Sequence, residues 1–327
     1  MKTSFLRFIN QINNKFHNKD FLFNVVKFSA LVICFGVLAL SRIGVEKSQM
    51  ILAKNSGGEV PDVLGVNYKK PIRIPTKLPN RAEPNVDASS AIVMDAETFS
   101  ILFEKNSSEE RPMASTTKMM TAIVTLREFN PSRIIEVTEE DVMVGGSSMF
   151  LIPGEHFYVE DLIKGLLIPS GNDVALTLEN EFRKYGKDIV SEMNKYSEAL
   201  GLENTNFVNT SGLHDNEHYS SAYDLAIIAS YAMRNFAIRN AVSTKEDMVY
   251  TVDKSHGHYL KSTNELLGVV DGVDGIKTGY TQQAGPCLVV SASREEKRIV
   301  VVVLNSPDRF NEVEKLVEWS FDSFVWE

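Results

Sequence analysis

Strand-like segments near both ends of the chain enclose a helical middle, and this order is the strongest constraint on the fold. Residues Ala91–Asp95 and Ser100–Glu104 have the short, apolar character of two strands joined by a tight turn. Three further segments of this kind follow near the other end: Gly275–Tyr280, Cys287–Ala292 and Ile299–Leu304. Such strands need helices to cover them. We therefore predict an α/β (α+β) fold, with one antiparallel sheet and helices on both of its faces.

The segments between these strands have apolar residues at steps of three and four, which is typical of amphipathic helices. The predicted helices are Ser115–Glu128, Val159–Leu167, Asp173–Phe182, Ile189–Leu200 and Ala222–Arg234. A last helix is predicted over Asn311–Phe324, after the strands. We expect all these elements to belong to one domain over residues 89–327.

The first 44 residues differ in composition from the rest. Residues 1–42 contain six Lys and Arg and a single acid, whereas the whole chain has a net charge of −9. The uncharged stretch Phe28–Leu40 would extend about 20 Å as a helix, less than the ~30 Å hydrocarbon core. With Lys27 at the interface, residues 21–40 would span it. We predict that residues 1–44 form a basic cytoplasmic head followed by a signal peptide or an N-terminal membrane anchor. The remainder would then lie at the extracytoplasmic face of the membrane.

Residues 45–88 form a proline-rich region between this head and the predicted domain. Five prolines and the pair Gly57-Gly58 disfavour helices and inner strands. We therefore predict a tether over residues 45–88. The negative net charge of the chain argues against binding a polyanion, so we expect no nucleic-acid partner.

Three short motifs follow one another in the part of the chain that is predicted to fold. The first, Ser115-Thr-Thr-Lys118, lies at the predicted start of a helix. Residues three apart on a helix share one face, and the first backbone N–H groups lack helical partners. A serine hydroxyl needs a base to attack a carbonyl, and a neutral lysine can act as that base. An ordinary helix start beside an exposed lysine is the alternative interpretation.

The other two motifs are Ser170-Gly171-Asn172, between two predicted helices, and Lys277-Thr278-Gly279, on a predicted strand. A hydroxyl and an amide two residues apart can enter one cleft from a turn. The strand motif supplies a cation, a hydroxyl and a glycine that allows close approach of substrate backbone. A simple turn and a solvated strand end are the alternatives, but the ordered set of three motifs is distinctive.

This ordered set resembles the serine-type D-alanyl-D-alanine carboxypeptidase family, which are low-molecular-mass penicillin-binding proteins. Longer phrases that carry the resemblance are Pro112-Met-Ala-Ser-Thr-Thr-Lys118, Leu167-Ile-Pro-Ser-Gly-Asn-Asp173, Asn209-Thr-Ser-Gly-Leu213, Ser220-Ser-Ala-Tyr-Asp-Leu-Ala226 and Val273-Asp-Gly-Ile-Lys-Thr-Gly-Tyr-Thr281. The resemblance runs from about Ala91 to Phe324, and it departs mildly at Met113 and Gly171. It implies the transpeptidase fold shared by penicillin-binding proteins and β-lactamases.

The resemblance also implies roles for single residues. Ser115 would be the acylated nucleophile, and Lys118 would take its proton. In this arrangement Lys277 would lie near Lys118, disfavour a second cation and so keep Lys118 neutral. Ser170 would relay a proton toward the leaving D-alanine. Asn172 would hold a substrate amide.

On the substrate side, the resemblance places Lys277, Thr278 and Gly279 along the bound peptide, with the first two near its carboxylate. The backbone N–H of Tyr280 would form an oxyanion hole together with that of the nucleophile. Arg309 would read the terminal carboxylate of the substrate.

The activity implied by the resemblance is removal of the terminal D-alanine from peptidoglycan stem pentapeptides through an acyl-enzyme, with β-lactam antibiotics as covalent inhibitors. Three alternatives stay open. A D,D-endopeptidase would cut crosslinks with the same machinery. A β-lactamase would need a deacylating carboxylate, which the sequence does not reveal. A non-catalytic wall-binding protein would carry an inactive site. We expect membrane attachment through the N-terminus, no cofactor and no metal.

Residues outside the motifs give weaker signals. His256 and His258 alternate along one strand, but no acid or cysteine cluster accompanies them. We therefore predict a surface strand there rather than a metal site. His214 and His218 are predicted to be structural residues of a loop near the cleft. Cys287 is predicted to be buried as a small apolar side chain.

Overall fold

A five-stranded antiparallel sheet organises residues 73–327, the part of the chain that the computed structural model describes. In spatial order its strands are β3 (Ile101–Lys105), β2 (Ser90–Asp95), β10 (Lys297–Leu304), β9 (Gly285–Arg294) and β8 (Val273–Thr281). Every neighbouring pair in this sheet is antiparallel. The predicted hairpin and the three predicted neighbouring strands are confirmed. Strand β8 lies at the edge of the sheet.

Six shorter strands form three separate antiparallel pairs. These are β1 (Pro75–Lys77) with β11 (Phe324–Trp326), β4 (Ile134–Glu136) with β5 (His156–Tyr158), and β6 (Glu246–Tyr250) with β7 (Gly257–Lys261). The strand predicted at His256 and His258 corresponds to β7. The other five, with three to five residues each, are too short for alternation of apolar and polar residues to identify them in the sequence.

Seven α-helices occur among the described residues. They are α1 (Lys118–Glu128), α2 (Val159–Leu167), α3 (Asn172–Lys184), α4 (Ile189–Leu200), α5 (Ala222–Ala232), α6 (Phe236–Val242) and α7 (Arg309–Ser323). All six predicted helices are confirmed, with ends that differ by up to three residues. Helix α6 was not predicted, because its seven residues span only two turns.

Side chains of the central strands alternate between two apolar cores, one on each face of the sheet. In β2, Ile92 and Met94 face the core that holds α5, whereas Ala91 and Val93 face the core that holds α7. The same alternation runs along β10. The predicted arrangement of helices on both faces is therefore confirmed, and both faces of β2 and β10 are buried.

The last residues of the predicted tether pack against the domain. Strand β1 pairs with β11, and Val86 and Ala88 belong to the core beneath α7. The backbone N–H of Ala88 donates to Oε2 of the buried Glu312 at 3.1 Å. The predicted basic head, apolar segment and first part of the tether lie outside the described residues. Among residues 73–327, no helix has the length and apolar character needed to cross a membrane.

Candidate active site

Ser115 lies in a short 3₁₀ turn, Ala114–Thr117, which leads directly into α1 at Lys118. Ala114 has a φ of +48°, a left-handed conformation that is uncommon for a residue with a Cβ and that clusters at functional sites. The serine therefore precedes the α-helix instead of starting it. The three-residue spacing still acts as predicted, since Lys118 Nζ lies 3.2 Å from Ser115 Oγ.

The Lys118 amine is fully buried and has two further contacts. It lies 2.7 Å from Asn172 Oδ1 and 2.7 Å from the carbonyl oxygen of Ser211, both of which accept a hydrogen bond. A neutral amine has two protons and one lone pair. When the two carbonyl oxygens take both protons, the lone pair is left for the Ser115 hydroxyl. This geometry suits a neutral lysine that accepts a proton from serine.

The electrostatic surroundings of Lys118 favour the same neutral form. Burial lowers the pKa of Lys118 well below its usual value, and the neighbouring Lys277 lowers it further. Asp173 acts in the opposite direction but is the smallest of the three influences. Among the described residues, no carboxylate forms an ion pair with Lys118.

The second motif lies at the connection between α2 and α3. Ser170 has a φ of +70°, and its buried Oγ has no hydrogen-bond partner within residues 73–327. Asn172 is the first residue of α3. Its side-chain amide accepts from Lys118 and donates from Nδ2 to the Gly145 carbonyl at 2.7 Å. A primary amide has a second N–H, and this is the group that remains for a substrate carbonyl.

The Asp173 carboxylate fixes the loop that faces this motif. It accepts hydrogen bonds from the backbone N–H groups of Met149 and Leu151, at 3.0 and 3.1 Å, and from the Ser148 hydroxyl at 2.6 Å. Several donors on one buried carboxylate hold the loop in a single position. The Gly145 carbonyl that contacts Asn172 belongs to the same loop.

The third motif lies on the edge strand β8. The Lys277 amine is buried and donates to the Thr278 carbonyl at 3.1 Å. Burial, and secondarily the charge of Arg309, lowers the pKa of Lys277 to about 7. The Thr278 Oγ1 lies 2.5 Å from the Oγ1 of Thr263.

Gly279 brings β8 against the turn that carries the serine. A Cβ at this position would lie 3.1 Å from the Met113 carbonyl oxygen and 3.2 Å from the Ser115 nitrogen. Only glycine allows this approach without displacement of backbone. The next residue, Tyr280, is 66% exposed at the end of the strand. Arg309, the first residue of α7, donates to the Gly279 carbonyl at 2.9 Å.

Hydrogen bonds join Ser115 and Asn172 to Lys118, and Arg309 to Gly279. Ser170 Oγ makes no hydrogen bond within residues 73–327. The turn contacts α1 and β8, and Lys118 bridges the first motif to the second. The sequence missed Ser211 and Gly212, which lie behind the serine. A Cβ on Gly212, whose φ is +86°, would lie 2.0 Å from the Ala114 carbonyl oxygen. In the sequence, only the family phrase Asn209–Leu213 points to these two residues. They act through the Ser211 carbonyl and the missing Cβ of Gly212, so no reactive side chain marks them.

The His218 ring also lies behind the serine, where it contacts Thr117 of the 3₁₀ turn. Its Nδ1 accepts from the Val208 N–H at 3.1 Å, so that Nε2 carries the proton and donates to Thr117 Oγ1 at 2.7 Å. Thr117 Oγ1 in turn donates to the Ala114 carbonyl at 2.8 Å. Burial lowers the pKa of His218 to about 4. The predicted structural role of His218 is confirmed.

The prediction for the other histidine pair is only half correct. His256 is exposed and precedes β7, but His258 is buried, with Nε2 2.9 Å from Glu155 Oε1 and Nδ1 3.1 Å from the Met149 carbonyl oxygen. The surface-strand prediction is therefore wrong for His258, because this face of the β6–β7 pair packs on the loop before β5. Within residues 73–327, no group of three or more His, Cys, Asp or Glu is arranged to hold a metal ion.

Cys287 behaves as predicted. Its thiol is free and fully buried in β9, and burial raises its pKa to about 11. The low fraction of thiolate and the lack of access make it unreactive.

Sequence comparisons with known proteins show to which family the chain belongs. The sequence model of the D-alanyl-D-alanine carboxypeptidase family matches residues 78–308. The carboxypeptidase DacF of Bacillus subtilis is 35% identical over 247 residues, which cover 73% of this chain and 63% of the relative. A D-alanyl-D-alanine carboxypeptidase of Streptomyces strain K15 is 34% identical, with 73% of this chain and 89% of the relative covered. The match thus spans less than two thirds of DacF.

Solved structures show the same relationship. The crystal structure of the Streptomyces K15 DD-transpeptidase superposes with a TM-score of 0.70 at 32% identity, covering 74% of this chain and 99% of that one. The carboxypeptidase DacD of Francisella tularensis superposes with a TM-score of 0.66 at 28% identity, covering 73% of this chain and 71% of that one. The predicted penicillin-binding fold is confirmed. By its sequence and its fold, the chain belongs to the D-alanyl-D-alanine carboxypeptidase family.

Proposed function

We propose that the protein is a serine-type D-alanyl-D-alanine carboxypeptidase that removes the terminal D-alanine from peptidoglycan stem pentapeptides. The observation that carries the proposal is the buried Lys118 amine, with two carbonyl oxygens on its protons and Ser115 Oγ at 3.2 Å. A lysine that is kept neutral by burial can deprotonate a serine at neutral pH. Family membership and the relatives' names support the substrate class.

The first chemical step follows from this arrangement. Ser115 Oγ attacks the carbonyl carbon of the penultimate D-alanine, while its proton moves to Lys118 Nζ. The backbone N–H groups of Ser115 and Tyr280 stabilise the oxyanion. The C–N bond then breaks, and the leaving amine takes a proton through Ser170. Water hydrolyses the resulting ester, so that one pentapeptide and one water yield a tetrapeptide and free D-alanine.

The substrate would lie along the open edge of β8. A peptide in extended conformation can add to the edge of a sheet, and Gly279 leaves room for its backbone beside the nucleophile. Asn172 would hold an amide of the bound peptide with its second N–H. Lys277, Thr278 and Arg309 would meet the terminal carboxylate. Among the described residues, neither Lys277 nor Arg309 is ion-paired with an acid, so an anionic substrate end is the fitting complement.

Transfer to an amine is a second candidate activity. The Streptomyces K15 relatives bear the names carboxypeptidase and DD-transpeptidase, and an amine in place of water would turn the same acyl-enzyme into a crosslink. The endopeptidase alternative uses the same residues on crosslinked peptides. β-Lactam antibiotics, as analogues of the peptide end, would acylate Ser115 under each of these activities.

The same proposal includes location. The basic head and apolar segment over residues 1–44 would attach the protein to the membrane, with the tether and the catalytic domain on the extracytoplasmic face where peptidoglycan lies. Protease added to intact spheroplasts would then digest the catalytic domain. Complete protection of the domain would contradict this location.

The activity is tested with the full chain in detergent and a pentapeptide that ends in D-Ala-D-Ala. We expect free D-alanine and tetrapeptide as products. Amidation of the terminal carboxylate removes a charge pairing worth about 2–5 kcal/mol, so kcat/KM should fall by more than ~30-fold. Equal cleavage of acid and amide would refute the carboxylate site. Cleavage of crosslinked dimers alone would establish the endopeptidase instead.

A further inference from the structure

Thr263 places a second hydroxyl beside the strand motif. Its Oγ1 lies 2.5 Å from the Oγ1 of Thr278, which is a short distance for two hydroxyl groups. Thr278 is buried, whereas Thr263 is exposed. The two hydroxyl groups therefore connect the buried Lys-Thr-Gly strand with the protein surface.

The backbone around Thr263 is fixed against β8, so the contact is not incidental. The neighbouring Asn264 is buried, and its Nδ2 donates to the Gly275 carbonyl of β8 at 3.1 Å. Its Oδ1 accepts from the Leu266 N–H at 3.1 Å, and Leu266 itself lies in the core beneath α7. Thr263 is thus held beside the strand motif by buried contacts on its C-terminal side.

A count of protons shows what this pair can do. Each hydroxyl has one proton, and at 2.5 Å one hydroxyl donates to the other. When Thr278 donates to Thr263, it has no proton left for a ligand. When Thr263 donates to Thr278, the Thr278 proton is available to an acceptor in the cleft. A carboxylate can only accept, so it is compatible with the second arrangement alone.

We propose that Thr263 is a specificity-determining residue, which donates to Thr278 and so orients the Thr278 proton toward the terminal carboxylate of the substrate. This inference rests on the proposed carboxypeptidase function. Because hydrogen bonds in a chain polarise one another, donation by Thr263 also strengthens the bond from Thr278 to the anion. A terminal amide, in contrast, has N–H groups that can donate to Thr278, which then turns its own proton toward Thr263. The Thr263–Thr278 pair thus favours binding of a peptide with a free terminal carboxylate, whereas binding of the amidated peptide does not depend on it.

The test compares free-acid and amidated peptides with the full-length protein in detergent. Thr263→Val keeps the shape of the side chain and removes the hydroxyl. We expect kcat/KM for the acid to fall roughly 5-fold, the effect of losing one hydrogen bond between neutral groups, because Thr278 keeps its own proton but loses the bond that orients and polarises it. We expect the amide to change by less than about 2-fold, since its own N–H can bond to Thr278. Thr263→Ser should restore the preference of the wild type.

Thr244→Val is the matched control, since it also removes a threonine hydroxyl, one that bonds to the Asn240 carbonyl at the end of α6. It should leave the ratio of acid to amide unchanged. The final stoichiometry of covalent penicillin labelling reports the folded fraction of each variant. Thr263→Ala is the second variant, to be used if the valine variant labels poorly.

Each outcome decides between distinct conclusions. If the wild type prefers the acid and Thr263→Val keeps the same preference, this inference is wrong and the carboxypeptidase proposal stands. An equal loss on acid and amide, or no recovery in Thr263→Ser, would show a structural role and also overturn the inference. If the wild type itself does not prefer the acid, the proposed carboxylate site fails, and the inference fails with it.

Discussion

Replacement of His218 by glutamine should remove a pH-dependent part of the stability of this domain. In the folded protein His218 is buried and neutral, and its Nδ1 accepts from Val208 while its Nε2 donates to Thr117. A protonated ring would have to donate from both nitrogens, and the Val208 N–H would then face another donor. Glutamine retains an N–H for Thr117 but does not titrate.

The magnitude follows from the pKa of His218, which falls from 6.5 to about 4, mainly through burial. Asp215 raises this pKa and His214 lowers it, but neither outweighs the burial. Because the folded pKa is the lower one, the unfolded chain takes up the proton first. The contribution is therefore complete above pH 6.5 and is lost as the pH falls toward 4. The expected loss is about 2 kcal/mol between pH 7 and pH 5, and about 3 kcal/mol by pH 4.

Urea unfolding at pH 7 and pH 5 measures this difference, with the fluorescence of Trp319 and Trp326 as the signal. The wild type should lose about 2 kcal/mol more between the two pH values than His218→Gln. A uniform destabilisation of the variant cancels in this comparison. His156→Gln, which replaces an exposed imidazole, is the control and should behave as the wild type. Equal losses in the wild type and in His218→Gln would refute the assignment of a neutral, buried His218.

Two further predictions concern the nucleophile and its turn. Lys118→Arg replaces the neutral amine with a permanently charged guanidinium that cannot accept a proton, so the rate of labelling by fluorescent penicillin should fall at least ~100-fold. Ser115→Ala should abolish labelling, and near-normal labelling of either variant would reassign its role. Gly212→Ala places a Cβ against the Ala114 carbonyl and should slow labelling at least ~10-fold. Gly201→Ala is the control, because Gly201 has a comparable φ of +73° but a Cβ there would meet no atom within 4 Å. This variant should lose ~1 kcal/mol of stability and label at the normal rate. Equal labelling rates in the two glycine variants would contradict a role for the contact between Gly212 and Ala114.

The parts of the fold that the sequence predicted are those with a long repeating pattern. Helices α2 and α4 were predicted at their observed ends from apolar residues at steps of three and four. The structure adds the end signals: α2 has acids in its first turn, and α4 has Asp188 before it and Gly201 after it. The strand pair β1–β11 could not be predicted. Its register depends on contacts between the two ends of the described domain, and three residues carry no periodic signal.

At the site, the sequence identified side chains better than their partners. Ser115 and Lys118 were predicted as neighbours, and the structure has them within hydrogen-bond distance. Asn172 was predicted to enter a cleft and hold a substrate amide, but its contact with Lys118 was not predicted. The Ser211 carbonyl, which accepts from Lys118, was not predicted because every residue has such a group. Thr263 was missed for a related reason: a single threonine outside a motif is indistinguishable from a surface residue until its neighbour in space is known.

The pairing of β1 with β11 has a consequence for the connectivity of the chain. Ile74 and Glu327 exchange backbone hydrogen bonds of 3.0 and 3.3 Å, so the two ends of the described domain are direct neighbours. A short linker could join them, and new ends could be opened in an exposed loop, which is the condition for circular permutation. Such a permuted chain would carry its three motifs in a different order yet assemble the same cleft. The chemistry therefore requires the three motifs to meet in space, and it does not depend on their order along the chain.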